Sequence, residues 1–560
     1  MSNGFIPRRK PTISIDPKRM GSFDRIGAVP SSRGGGGVGR LRDLILSSSS
    51  SSWGYHFSHH DGKGSRSVAL LAAALVVTVL VCFGMFGSIG GGNAEARHVV
   101  VFDAGSTGNR VHVFEFEPTG DGPRLVQEVF HAAKPGLKER ADDPRAAAAL
   151  LDPLVATALA TVPARARKRT PLTLRATAGL RLLPEGPAAA DAIMDAVRSK
   201  LARTGFDVDP SRGVSILSGD DEGLYGWVAV NYLLGRVGGP GGGRSQNQNQ
   251  NTVALADLGG GSAQLSYAVD ADVASTAPAG YVRTVPVTRG AGRLSAYVHS
   301  FNGYGLVAAR HRMLAGVGNP GGEPSGGDGG DGDGSLKGTA GKPPSTRTPH
   351  ACVHAGHAGH SCDRDCYGLD DPTMSYSVTP LTTGASFEGC VKSATDAIGP
   401  SEKGCERAPC SFGGAWRAPY ATGVTEFYAM SYVAERAVQC GAADRPPDDA
   451  TPTTTTPRKL ATAGTKVCET RVDQLGAKYP SVDEEHRPWL CADVAYVYAL
   501  LTRGFGVGED ETVTLVDKIA YRGKAVEAAW ALGDAIAVMD GGAHGGDGGD
   551  GVVTERLRAR

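Results

Sequence analysis

Two aspartates are each followed by a loop of small residues, a pattern typical of phosphate and metal chemistry. Asp103 ends an apolar run and precedes AGSTGN, and Asp257 ends another apolar run and precedes LGGGSAQ. Backbone N–H groups in such loops approach phosphate closely because Gly has no side chain in the way. A carboxylate at the start of each loop could hold a divalent cation through water, as Mg²⁺ is commonly bound.

Each loop by itself is explained equally well as a tight hairpin turn. The repetition of the same pattern, with an Asp in the same place, favours a shared phosphate site. Within it, Ser106, Thr107 and Ser262 are candidates for bonding phosphate oxygens.

The elements around these loops must bring them together. The apolar run His98–Phe102 and the alternating run Arg110–Phe116 predict a hairpin with the first loop as its turn. Thr252–Ala256 and Leu265–Val269 repeat this around the second loop. A doubled strand–Asp–loop–strand unit predicts two related lobes that share one cleft.

Composition divides the rest of the chain. Residues 316–350 and 444–465 are rich in Gly, Asp, Pro, Ser or Thr, which predicts two disordered, exposed insertions. Helices are predicted at 292–315, 422–440, 484–502 and 523–539. The 58 Lys and Arg balance the 58 Asp and Glu, so no overall basic surface favours binding to nucleic acid.

The N-terminal region predicts a membrane anchor. Residues 1–66 carry eleven Lys or Arg against four Asp and contain Gly and Ser runs, which predicts a disordered basic cytosolic tail. No charge interrupts Val68–Phe86, so 67–89 is predicted to be a transmembrane signal anchor. The alternatives are a buried core helix and a signal peptide cleaved near Ala94–Ala96.

This topology is single-pass type II, with the remainder in a lumen or outside the cell. The short span favours a membrane of the Golgi or the endoplasmic reticulum over the cell surface, and the Golgi lumenal side is the prediction.

Cysteine usage agrees with an oxidising compartment. Apart from Cys82, the cysteines all lie between Cys352 and Cys491, and their number there is odd. Cys405 with Cys410, and Cys468 with Cys491, are candidate disulfides. The alternative is a zinc site among the following residues: His350, Cys352, His354, His357, His360, Cys362 and Cys366.

Four segments, in order, resemble the conserved regions of the apyrases, the nucleoside triphosphate diphosphohydrolase (GDA1/CD39) family, and most of all its plant, membrane-anchored branch. The segments are DAGSTGNRVHVF (103–114), ATAGLRLLP (176–184), SGDDEGLYGWVAVNYLLG (218–235) and DLGGGSAQL (257–265). The resemblance extends over roughly 97–540 outside the two insertions.

The resemblance implies an α/β, actin-like fold of two ribonuclease-H-like lobes, with nucleotide between them. Lobe I would comprise 97–216 plus 525–545, and lobe II would comprise 217–524. The implied activity is hydrolysis of nucleoside tri- and diphosphates, dependent on Ca²⁺ or Mg²⁺, without a covalent intermediate.

Individual roles follow from the matching positions. Glu222 would be the general base, Ser262 and Gln264 would orient the water, and Asp103 and Asp257 would hold the hydrated cation. An aromatic residue would stack on the nucleotide base, with Tyr432 preferred over Tyr428. The phosphate-binding residues would be Gly105, Ser106, Thr107, Gly108, Thr177, Gly259, Gly260 and Gly261.

Other functions remain as alternatives. A Golgi glycosyltransferase would need an Asp-x-Asp metal site, and Asp331 with Asp333 fits only by letters inside an insertion. An exopolyphosphatase could share the phosphate loops. An apyrase-like protein that binds nucleotide without turnover would not need Glu222.

Overall fold

The computed structural model describes residues 97–119, 122–237, 251–286, 293–316, 347–363, 366–369, 374–399, 405 and 407–542. The predicted tail at 1–66, the predicted span at 67–89 and most of the predicted insertion at 316–350 lie outside these residues. Within the described ranges, no helix combines the length and the apolar character needed to cross a membrane.

A five-stranded sheet carries the first Asp loop, and we call the part of the chain built on it lobe I. Its strands are β1 Arg97–Ala104, β2 Asn109–Thr119, β3 Gly122–Ala133, β4 Leu172–Ala176 and β5 Val214–Ile216. The order is β3-β2-β1-β4-β5, so β1 is central. That position suits its continuous apolar run, because a central strand is covered on both faces.

A seven-stranded sheet carries the second Asp loop and defines lobe II. Its strands are β6 Ala254–Leu258, β7 Ser262–Ala268, β8 Val282–Pro286, β9 Arg293–Asn302, β13 Phe427–Ser431, β14 Thr453–Thr455 and β15 Val513–Leu515. The order is β14-β15-β13-β6-β7-β9-β8. Small sheets are formed by β10 Thr348–His350, β11 His360–Cys362 and β12 Tyr376–Pro380, and by β16 Lys518–Tyr521 and β17 Lys524–Glu527.

The two large sheets repeat one strand pattern. In lobe I, β3, β2 and β1 pair antiparallel, and β1, β4 and β5 then pair parallel. In lobe II, β9, β7 and β6 pair antiparallel, and β6, β13 and β15 then pair parallel. The two Asp loops are therefore equivalent turns on equivalent hairpins, as the repeated sequence pattern predicts.

Helices connect and cover these strands. They are α1 Pro144–Ala149, α2 Asp152–Thr161, α3 Ala164–Arg167, α4 Ala178–Arg181, α5 Pro187–Leu201, α6 Gly219–Leu233, α7 Ala271–Thr276, α8 Leu306–Ala315, α9 Phe387–Ile398, α10 Tyr432–Gln439, α11 Pro457–Cys468, α12 Leu475–Lys478, α13 Leu490–Ala499 and α14 Trp530–Gly542. A π-helical turn, Leu500–Gly504, follows α13.

The last helix packs on lobe I although it follows lobe II in sequence. Asp534 of α14 accepts hydrogen bonds from Thr173 Oγ1 at 2.7 Å and from Arg175 Nε at 3.2 Å, both on β4. Trp530 shares a buried cluster with Val101 of β1 and Trp227 of α6. The last helix of the described chain thus packs on the sheet that contains β1.

The segment 444–465 corrects the prediction of a disordered insertion. β14 pairs with β15, and α11 begins at Pro457. The Thr456 side chain accepts a hydrogen bond from Lys459 N, so Thr456 and Pro457 are an N-cap and a first helical residue. The composition of this segment resembles that of a linker. Thr and Pro are also residues that begin helices, so composition alone does not distinguish the two.

Three predicted helices begin instead as strands. The segment 292–315 contains β9 before α8, 422–440 contains β13 before α10, and 523–539 contains β17 before α14. Residues 296–302 of β9 pair with β7. This pairing stabilises the extended conformation that a local pattern in the sequence does not reveal.

Four disulfides join cysteines of the described residues. They are Cys352–Cys390, Cys362–Cys366, Cys405–Cys410 and Cys468–Cys491. The two predicted pairs are confirmed. Cys440 is the unpaired member of the odd set, and it is buried.

Candidate active site

The first Asp loop is a tight turn between β1 and β2. Gly105 N donates to Gly108 O at 2.9 Å, which closes the turn. Asp103 accepts from Arg110 Nη1 at 3.0 Å through Oδ2. Asp103 Oδ1 is buried and has no hydrogen-bond partner among the described residues.

The second Asp loop has the same construction. Gly259 N donates to Ser262 O at 3.0 Å, which is the bond equivalent to that of Gly105. Asp257 is buried, and its Oδ1 likewise lacks a partner within the described part of the chain. Burial raises the pKa of Asp257 to about 6, and repulsion from Asp103 adds to the effect while Arg110 opposes it.

The two loops meet, and glycine is needed where they do. A Cβ built on Gly260 would lie 2.5 Å from Ser106 Oγ. A Cβ on Gly179, at the start of α4, would lie 2.8 Å from Ser106 Cα. The loops of the two lobes and the N-terminal turn of α4 therefore surround one small space.

Thr177 positions α4 beside the first loop. It is buried, and its backbone N–H donates to Ala104 O at 3.1 Å. The helix that follows brings Arg181 into the cleft. Thr177 thus lies next to the first Asp loop, as its predicted phosphate role requires.

Glu222 has different contacts from those of the two acidic residues before it. Asp221 accepts from Ser218 Oγ at 2.7 Å at the start of α6, and Asp220 Oδ1 accepts from Ser300 N at 2.9 Å. Glu222 is buried, and its carboxylate faces the cleft. The sequence DDEG therefore supplies one helix-start acid, one anchor to β9 and one acid in the site.

Arg181 is the immediate partner of Glu222. Its Nη2 lies 2.9 Å from Glu222 Oε2 and 3.2 Å from Ser262 Oγ. Burial raises the pKa of Glu222 to about 7; the positive charge of Arg181 opposes this rise, and the charges of Asp257 and Asp103 add to it. A carboxylate with such a pKa is suited to exchanging a proton near neutral pH.

Ser262 and Gln264 lie next to this ion pair. Gln264 Nε2 donates to Ser262 Oγ at 2.8 Å and to Ser300 Oγ at 3.0 Å. Gln264 Oε1 is buried and accepts no hydrogen bond from a described residue. Because Ser262 Oγ already has two donors directed at it, its own proton is free to be donated.

The two candidate aromatic residues lie in different environments. Tyr432 is half-buried at the start of α10, and it lies near enough to Arg110 and Tyr367 of the cleft to influence their pKa values. Tyr428 is buried in the core beside Met430, and its hydroxyl lies 3.4 Å from Glu426. The prediction of Tyr428 is corrected, because a core position on β13 leaves no ring face for a nucleotide.

The contacts of the histidines and cysteines do not favour the zinc alternative. Cys352 is bonded to Cys390, and Cys362 to Cys366. His354 Nδ1 lies 2.8 Å from Thr470 O, and its Nε2 accepts from Cys491 N at 3.2 Å. Both ring nitrogens of His354 are therefore used by the backbone.

Sequence reasoning missed Arg181 and Ser300. Arg181 lies inside the segment 176–184 that resembles the family, and Ser300 lies within the wider resemblance over roughly 97–540, which is the available signal. Their partners are distant in sequence, so pattern and spacing alone could not assign them a role.

Comparisons with known proteins identify the family of the chain. The family model described as GDA1/CD39 (nucleoside phosphatase) matches residues 92–544. The chain is 35% identical over 457 residues to probable apyrase 1 of Oryza sativa subsp. japonica, covering 80% of this chain and 83% of that protein. It is 30% identical over 452 residues to a guanosine-diphosphatase of Schizosaccharomyces pombe, covering 79% and 74%.

A solved structure is similar in fold. The nucleoside triphosphate hydrolases of Neospora caninum align with a TM-score of 0.50 at 14% identity, covering 83% of this chain and 96% of that one. Both have a mixed α/β fold in two lobes. With the family model matching most of the sequence, the chain belongs to the GDA1/CD39 family and is a nucleoside phosphatase.

Proposed function

We propose that the cleft between the two Asp loops hydrolyses nucleoside tri- and diphosphates to monophosphate and phosphate by direct attack of water. The observation that carries this proposal is Glu222, a buried carboxylate beside both Asp loops whose pKa is raised to about 7 by burial. The relatives named apyrase and guanosine-diphosphatase support both substrate classes. The repeated strand pattern supports an actin-like pair of ribonuclease-H-like lobes.

In this mechanism Glu222 accepts the proton that the attacking water loses. Gln264 Oε1 accepts a hydrogen bond from the second O–H of the water, since this oxygen has no partner among the described residues. Ser262 donates its hydroxyl proton to the water or to phosphate. Arg181 holds the Glu222 carboxylate toward this position and opposes its protonation.

The phosphate lies between the loops and is bound by their backbone. Among the described residues, no group accepts a hydrogen bond from the N–H of Ser106, Thr107, Gly260 or Gly261. We propose that these donors bind the charge that builds up on phosphate oxygens in the transition state. Gly105, Gly108, Gly259 and Thr177 are the other proposed residues of this phosphate site.

The residues present also fit a hydrated Ca²⁺ or Mg²⁺. Asp103 Oδ1 and Asp257 Oδ1 are both buried carboxylate oxygens without a protein partner in the described chain. Two such carboxylates repel each other unless a cation or a proton lies nearby. The chemistry that the cation supplies is neutralisation of charge on the phosphate.

Tyr432 is the proposed platform for the nucleotide base. The guanidinium carbon of Arg436 lies 5.0 Å from the centre of its ring. One face of the ring is thus supported, and the half-buried side chain leaves room for stacking on it.

The proposed location is the lumenal side of a Golgi membrane, with 67–89 as a single type II anchor. Four disulfides in the described residues support an oxidising compartment. In sealed microsomes, added protease should remove only the basic tail. Digestion of the catalytic part would contradict this topology.

A nucleotide panel tests the proposed activity against its alternatives. Full-length protein in detergent should release phosphate from nucleoside tri- and diphosphates but not transfer a sugar. Binding without phosphate release would support a protein that does not turn over, and release from polyphosphate alone would support an exopolyphosphatase. Glu222 and both Asp loops favour turnover of nucleotides.

A further inference from the structure

Tyr367 extends from outside both large sheets into the place where the phosphate loops meet. It directly follows Cys366, which is bonded to Cys362 at the end of β11. A Cβ built on Gly261 would lie 2.2 Å from the Tyr367 hydroxyl oxygen and 3.1 Å from Cζ. The phenol end therefore lies against the backbone of the second loop.

The same side chain contacts lobe I. Lys138 Nζ lies 4.0 Å from the centre of the Tyr367 ring. The Ser106 hydroxyl of the first loop lies close enough to influence the phenol, but the pair lacks the geometry of a hydrogen bond. Tyr367 thus touches the phosphate loops of both lobes.

The hydroxyl is buried and has no hydrogen-bond partner among the described residues. A buried O–H that bonds neither protein nor water costs stability, so such a group marks a site that a ligand completes. Burial raises the pKa of Tyr367 well above its usual value. The hydroxyl therefore keeps its proton and remains a donor at neutral pH.

Charge near this hydroxyl indicates what it would bind. Arg181 and Glu222 both act on it electrostatically, so it lies near the ion pair of the site. The unpaired N–H groups at 260–261 lie beside it on the second loop. A donor added to a group of donors suits a phosphate oxygen.

We propose that the Tyr367 hydroxyl donates a hydrogen bond to an oxygen of the terminal phosphate, which makes it a further substrate-binding residue. This inference rests on the phosphate position proposed above. A hydrogen bond to a charged group predicts that loss of the hydroxyl weakens phosphate binding by about tenfold to a hundredfold.

The test is Tyr367→Phe, with inorganic phosphate as a probe of ground-state binding. The variant should lower kcat/KM and should weaken inhibition by inorganic phosphate by a similar factor, with a melting temperature that is no lower than that of the wild type. Tyr376→Phe is the matched control. Tyr376 lies on β12, and its hydroxyl is already paired with His311 Nδ1 of α8 at 2.9 Å. That control should keep both wild-type values.

Glu222→Gln, measured in parallel, separates this inference from the proposed function. If Glu222→Gln is inactive but Tyr367→Phe keeps normal turnover and phosphate inhibition, the role of Tyr367 is refuted and the function stands. Reduced turnover with unchanged phosphate inhibition also overturns it. If Glu222→Gln retains full activity, Glu222 is not the base, and if the wild-type protein releases no phosphate from nucleoside di- or triphosphates, the proposed function itself fails.

Discussion

Glu222 can be tested apart from its acidic neighbours because each of the three has different contacts. Glu222→Gln keeps the shape of the side chain but cannot accept a proton, so kcat should fall by about 10²–10⁴-fold. Nucleotide affinity should change far less, and the loss should appear with both tri- and diphosphates. Steady-state kinetics measure this, with Asp221→Asn as the control. Inactivity of Asp221→Asn with a normal Glu222→Gln would place the base one residue earlier.

Arg181 sets the pH range in which Glu222 acts. Because Glu222 must be ionised to accept a proton and its pKa is about 7, kcat/KM should fall as the pH drops below 7. Arg181→Gln removes the opposing positive charge, so the pKa of Glu222 rises and this decline should move to higher pH by about one unit. Arg181→Lys keeps the charge and should show the wild-type profile. Identical profiles for wild type and Arg181→Gln would exclude this role.

At the scale of elements, the two Asp loops approach closely at Gly260. A Cβ there would lie 2.5 Å from Ser106 Oγ, a hydroxyl oxygen that can move away by rotation of the side chain. Gly260→Ala should therefore turn the Ser106 hydroxyl away from its proposed phosphate-binding position and lower kcat/KM by about tenfold. Gly508→Ala, in an exposed loop with ordinary contacts, is the control. Equal kinetics for the two variants would mean that the Ser106 hydroxyl does not bind phosphate.

Elements with local signals were predictable from the sequence, and those with distant partners were not. The Asp hairpins follow from short patterns around Asp103 and Asp257. β9 was mistaken for a helix because its pairing with β7 cannot be seen in a local window. The choice between Tyr428 and Tyr432 depended on the change from strand to helix at Ser431, whose φ of 57° no local pattern announces.

At the scale of the whole molecule, Asp103 belongs to lobe I and Asp257 to lobe II, so a cation between them would join the lobes. Excess chelator should abolish hydrolysis. A cation at 100 times its Kd should add about 2.7 kcal/mol to the free energy of unfolding, which a thermal melt detects. Asp257→Asn should lose most of this added stability. Full activity in chelator would rule out the role of both aspartates.

The equivalence of the two Asp hairpins is incomplete, and the difference has a stereochemical consequence. Opposite Asp103 the paired strand carries Arg110, whereas opposite Asp257 it carries Gln264, next to Glu222. The site is therefore pseudosymmetric in backbone but one-sided in side chains. In the proposed mechanism water is therefore deprotonated from the side of Glu222, and this single displacement should invert the configuration at phosphorus.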